Sequence, residues 1–125
     1  MVLYHKSKLG VAHTIEHVAL TQAAAGLLTI KALIAAKVIY LHELVGSIDT
    51  GDGTIKVSYD DDGAATNEVD IIEDMGWDVA TNCPIPIVSF RKDLSFCPQT
   101  IAGKQLTLTT TGGAFKGYAI ISYET

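Results

Sequence analysis

Cysteine is scarce in this chain, long hydrophobic runs are missing, and the middle of the sequence is almost without basic residues. The two cysteines, Cys83 and Cys97, are each followed by proline and form neither a CxxC pair nor a zinc-finger spacing. Two reduced thiols are expected, with a disulfide between neighbouring strands as the alternative. No stretch reaches the roughly 18 uncharged apolar residues of a membrane span; residues 32–41, the nearest candidate, are interrupted by Lys37. The opening Met1-Val-Leu-Tyr-His-Lys has neither the leading charge nor the apolar region of a signal peptide. The expectation is a soluble protein made inside the cell, without a membrane partner.

Ten of the fourteen acidic residues lie in 49–78 with Lys56 as their one basic companion, so that segment carries −9 of the net −5 and the remainder is +4. Such a segment repels phosphates and argues against nucleic acid as a partner. It reads as a solvated loop region. A length of 125 residues with 48% hydrophobic content suits one domain with a core of its own, without help from metal or disulfide.

What is present is alternation. In 105–109, Leu106 and Leu108 alternate with Gln105, Thr107 and Thr109; after Gly112-Gly113, Phe115, Ala119, Ile121 and Tyr123 share one parity. This period of two around a glycine turn predicts a closing antiparallel hairpin. Upstream, 54–59 alternates cleanly, with Ile55, Val57 and Tyr59 inward, and Asp60-Asp-Asp-Gly63 ends it. Residues 38–45 are apolar on both parities, as in a central strand covered on both faces. Residues 14–37 are ambiguous, since Ala23 to Ala25 favour helix; a strand over 27–34 and a turn at 35–37 are preferred. Residues 64–82 are the least periodic, with one short strand expected at 69–72. Pro84 and Pro86 predict that the strand they flank begins at a sheet edge. Short strands at this spacing predict an all-β, antiparallel β-sandwich of jelly-roll-like type: an extended arm over 1–13, then a single domain over 14–125.

Three motifs carry chemistry on paper. His13-Thr-Ile-Glu-His17 matches the H-x-x-E-H of inverted zinc peptidases, which needs a helix to bring both imidazoles to one metal. No third-ligand helix follows, and no metal site is expected. Asp49-Thr50-Gly51 matches the catalytic triplet of retroviral-type aspartic peptidases, in which two subunits each supply one carboxylate. Asp52 stands where that family has Ala or Ser, and the triplet is also an ordinary hairpin turn. Asp60-Asp61-Asp62-Gly63 resembles part of a calcium loop but lacks the spaced ligands. With no nucleophile elbow or phosphate loop either, the expectation is a non-enzymatic protein without catalytic residues, cofactor or small-molecule substrate. Trp77, the only tryptophan, is expected on a loop as a contact anchor or as a cap on the core.

Residues 27–125 resemble the small β-sandwich head decoration, or cement, proteins of tailed bacteriophages. The resemblance rests on the order of features: an Ala-rich approach into Ala36-Lys37-Val38-Ile39-Tyr40-Leu41, then the strand and polar turn of 54–63, then the proline-flanked 84–90. Thr100-Ile-Ala-Gly-Lys-Gln-Leu-Thr-Leu-Thr109 and Gly117-Tyr-Ala-Ile-Ile-Ser-Tyr123 complete it. The chain departs from the pattern in lacking a glycine before Lys37 and in its acidic insert over 64–82. The resemblance implies a homotrimeric virion protein, made in the host cytoplasm and seated on the capsid surface, whose partner is the major capsid protein. It also implies a clamping role for the arm, so that Val2, Leu3, Tyr4 and His5, with Trp77, are the candidate interface residues. A tail-associated adhesion or carbohydrate-binding module is the alternative, and the Asp-Thr-Gly peptidase a lesser one.

Overall fold

Alternating β-branched, aromatic and polar residues build nine strands among the residues that the computed structural model describes: 2–4, 12–49, 52–61, 68–78 and 85–125, with backbone alone for 2–4, 52, 74–78 and 85. In chain order these are β1 (Val2–Tyr4), β2 (Ala12–Thr21), β3 (Gly26–Lys31), β4 (Tyr40–Ile48), β5 (Asp52–Asp60), β6 (Val69–Asp78), β7 (Ile85–Val88), β8 (Gln105–Thr111) and β9 (Phe115–Glu124). They form a five-stranded sheet, β1-β2-β9-β4-β7, and a four-stranded sheet, β3-β8-β5-β6. Every strand pairing is antiparallel. Only β1–β2 and β5–β6 are consecutive strands of one sheet; every other connection crosses to the other sheet. That order is the jelly roll, extended by β1 at one edge. The expected all-β antiparallel sandwich is what the chain forms.

The two inner faces supply the core. Leu20, Leu41, Leu44, Ile48, Phe115, Ala119 and Ile121 from the five-stranded sheet meet Ile30, Ile55, Val57, Leu106 and Leu108 from the other. Each fully buried side chain of this kind contributes about 1.5–3 kcal/mol of transfer free energy. The outer face of the four-stranded sheet is polar, and several of its side chains bond to one another or to the backbone. Thr107 Oγ1 donates to Ser58 O at 3.2 Å, Gln105 Nε2 to Asp60 Oδ1 at 2.7 Å and Ser58 Oγ to Asp70 Oδ1 at 2.9 Å.

Several expectations change. Gly112-Gly113 does not close a hairpin: β8 lies between β3 and β5 in one sheet, and β9 between β2 and β4 in the other. Alternation reports one buried face per strand and is silent about which strand lies alongside. Asp49 likewise leads from one sheet to the other, not around a hairpin. The irregular acidic region contains the ten-residue strand β6, so Trp77 lies on a strand, opposite Gly53, and not on a loop. Residues 12–21 are strand throughout. The strand of 27–34 is shorter, ending at Lys31. Pro86 does lie on an edge strand, β7.

One end of the sandwich gathers the connections β2–β3, β4–β5 and β8–β9, and it is closed by side chains. Gln22 Oε1 accepts from the Phe115 backbone N–H and from Thr110 Oγ1, both at 2.9 Å, while its Nε2 donates to Gly26 O at 2.8 Å. Asp49 exchanges two 3.0 Å bonds with Ala114, one through its backbone N–H and one through Oδ1. Close by, β4 and β9 pair Gly46 with Gly117, where a Cβ on Gly117 would stand 1.9 Å from Val45 O.

Candidate docking end

The opposite end gathers the connections β3–β4 (32–39) and β7–β8 (89–104), with Asp61 and Glu68, the residues next to the ends of β5 and β6. The pairings Lys31 with Leu106, Asp60 with Gln105 and Tyr40 with Ser122 place them together. Here lie Phe96 (67% exposed), Phe90 and Ile101 (each 53%), Leu33 (44%) and Val69 (46%). These are all the exposed large hydrophobic residues among those described. Scattered exposed apolar residues are ordinary, whereas a set gathered at one end marks a contact surface.

The segment that carries Phe90, Phe96 and Ile101 is held firmly. Backbone bonds run from Arg91 N to His42 O (2.9 Å), from Leu41 N to Pro98 O (2.8 Å), from Thr100 N to Ile39 O (3.0 Å) and from Gly103 N to Lys37 O (3.0 Å). Ile39 N donates to Thr100 Oγ1 at 3.0 Å. A single 3-10 turn, Leu94–Phe96, is capped by Asp93, whose Oδ1 accepts from Ser95 N at 2.9 Å. Leu94 points into the core and Phe96 outward. The aromatic rings are thus displayed on a fixed frame, as an interface anchor requires.

Beneath this frame lies a buried polar chain. His42 Nδ1 meets Arg91 O at 2.6 Å, and Nε2 meets Ser122 Oγ at 2.6 Å. A carbonyl only accepts, so Nδ1 carries the proton and Nε2 accepts from Ser122. Ser122 Oγ also lies 3.5 Å from His13 Nδ1, and the Phe90 ring stacks on His42 with centroids 5.9 Å apart. Cys97 Sγ sits 3.5 Å from His42 Nδ1, and burial pushes its thiol up to about 11, which keeps it protonated and unreactive. The chain ties β4, β9 and β2 to the segment after β7.

The residues singled out from sequence are distributed differently from what was expected. Val2, Leu3 and Tyr4 form β1, paired with 12–14, and Tyr4 lies at the end that carries Phe96. His5 lies outside the described residues. Trp77 belongs to the closed end, where the next residue, Asp78, pairs with Asp52. The backbones of Tyr4 and Trp77 therefore lie at opposite ends of the sandwich. His13 and His17 stand on one strand, about 13 Å apart at the strand rise, and cannot share a metal; His13 lies against Tyr40, and His17 stacks on Tyr118. No group of three or more metal-ligating side chains occurs among the described residues. Asp60 accepts from Gln105 and Asp61 pairs with Lys104, so these two serve the fold; Asp62 and Gly63 lie outside the described residues, as do Thr50, Gly51 and Cys83. Cys97 is a free thiol.

Phe90, Phe96, Leu33 and Ile101 were not foreseen. Their available signal was a large apolar residue beside charge in a segment without alternation, as in Ser89-Phe-Arg-Lys-Asp93. No family model matches the chain, and no curated protein matches it.

Proposed function

We propose that this protein is a structural virion protein of the capsid-decoration type, which binds an assembled coat shell through the end that bears Phe90, Phe96, Ile101 and Leu33. The observation that carries the reading is the gathering of every exposed large hydrophobic side chain, among the described residues, at one rigidly framed end. The jelly roll is shared by viral capsid and lectin domains. It hosts many functions, so the argument rests on the surface and not on the fold. Burying two phenylalanines in coat-protein pockets supplies about 3–5 kcal/mol before the cost of association. A ligand that binds only the assembled state stabilises it by mass action, raising the force needed to separate coat subunits.

Asp70 and Glu73 on the β6 edge are exposed to solvent. The test is co-sedimentation of the purified chain with intact expanded shells and, separately, with free coat subunits. Binding to shells alone, with a rise in the temperature at which shells burst, is the expected result. Binding to host cells or glycans with no effect on shells would instead support the adhesion reading.

A further inference from the structure

The edges of the two sheets are not treated alike. The β7 edge is four residues long and contains Pro86. The β6 edge exposes Asp70 and Glu73, and its pairing with β5 slips twice. The β3 edge is broken by a register shift between Thr29 and Lys31. Short length, proline, charge and bulges are the devices by which proteins prevent an edge from pairing. β2 has none of them. It pairs with β9 through nine consecutive residues without irregularity, and among the described residues its other side is covered by β1 alone, at 12–14. Among the described residues, 15–21, Ile-Glu-His-Val-Ala-Leu-Thr, form a regular open edge, and their one carboxylate, Glu16, is tied to Lys31 and Tyr123.

We propose that this edge pairs with the same edge of a second copy across a two-fold axis at Val18. Antiparallel self-pairing about Val18 sets Ile15 against Thr21, Glu16 against Leu20, and His17 against Ala19 of the other copy. No like charges meet, and a β-branched residue faces itself at the centre. The described pairings of β1 reach Thr14, where the partner strand would end, and the chain turns away from the sheet at Gln22, where the partner's β1 would begin. The result is one sheet continuous through both copies. A coat strand added to the same edge would meet no such symmetry, so the second copy is the favoured occupant.

Because the paired strands run oppositely, the two docking ends come to lie at opposite extremities of the dimer. If the docking reading holds, on which this consequence rests, the dimer is a two-ended bridge. The second contact then forms at a high effective concentration. The arrangement is two-fold, whereas the resemblance to decoration proteins implies a trimer, so the two expectations are separable by mass.

The experiment is sedimentation-equilibrium mass of the full chain and two variants, with far-ultraviolet dichroism to confirm the fold. Wild type is expected at twice the 13.3 kDa chain mass. His17→Lys with Ala19→Lys sets lysines against lysines at two symmetry-related places, on side chains that are exposed in the single copy. It is expected to weaken association about tenfold or more. His17→Lys with Ala19→Glu sets opposite charges at the same places and is expected to keep the dimer. A wild-type monomer, a trimer, or a dimer indifferent to the double lysine would overturn the proposal. Because shell binding is measured separately, a failed edge and a failed docking end give different results.

Discussion

The two ends of the sandwich are built on opposite principles. At the closed end, Gln22 and Asp49 reach across connections and accept from the Thr110 hydroxyl of β8 and from the backbone N–H groups of Phe115 and Ala114. Among the described residues, those exposed in its connections include the small Ala23 to Ala25 and Gly112. At the open end the backbone of 91–103 is also well bonded, and it holds Phe96 and Ile101, with Phe90 beside it, in solvent. At the closed end the bonds described hold the connections in place. At the open end the frame holds apolar area in a fixed arrangement, which lowers the ordering cost of any later contact.

Substitutions can break this comparison, and the largest effect is expected at the closed end. Gly117→Ala places a Cβ against Val45 O, and overpacking on this scale costs about 3 kcal/mol; urea unfolding would show it as a lowered midpoint. Gln22→Ala leaves the Phe115 N–H and the Thr110 hydroxyl without their acceptor, for about 2 kcal/mol by the same assay.

A third effect is set by pH and lies between the ends, at the side of the sandwich where Glu16 and Lys31 pair at 2.9 Å. Burial opposes ionisation of Glu16, but the Tyr123 hydroxyl and the Lys31 ammonium together hold its carboxyl below the ordinary 4.5. A depressed carboxylate contributes stability that is present above 4.5 and lost as pH falls through the folded value. The stability difference between wild type and Lys31→Met should therefore be present at pH 7 and shrink on acidification below about 4.5. A difference unchanged at pH 3 would contradict the pairing.

Ala36 gives a smaller effect of opposite sign, at the open end. Its φ of +61° lies in the left-handed region, at the place where the decoration-protein pattern has glycine. Ala36→Gly should raise stability by up to about 1 kcal/mol, read as a raised unfolding midpoint.

Much of the sandwich was legible because burial on one face leaves a period of two, as in Ile55 and Val57 or in Leu106 and Leu108. Partnership was not legible. Phe115 to Tyr123 alternates identically whether it folds back on Leu106 and Leu108 or crosses to the other sheet. Asp74 to Asp78 carries no alternation at all, which is why β6 was seen only at its start. The turn at 35–37 was legible, but the positive φ of Ala36 was not, because nothing in Ala35-Ala36-Lys37 marks a left-handed residue. Nor was the docking end, because Phe90 and Phe96 lie outside any periodic segment. Their exposure depends on the stitching of 89–104 to β4, which is a tertiary fact.

The most direct test of the docking end is the double variant Phe90→Ala with Phe96→Ala, measured for shell binding and for unfolding in parallel. Exposed side chains change stability by about 0.5 kcal/mol or less, whereas two aromatic anchors together are worth about 3 kcal/mol or more in binding. The expected result is shell affinity reduced roughly a hundredfold with an almost unchanged unfolding midpoint. Full binding by the double variant would contradict the assignment.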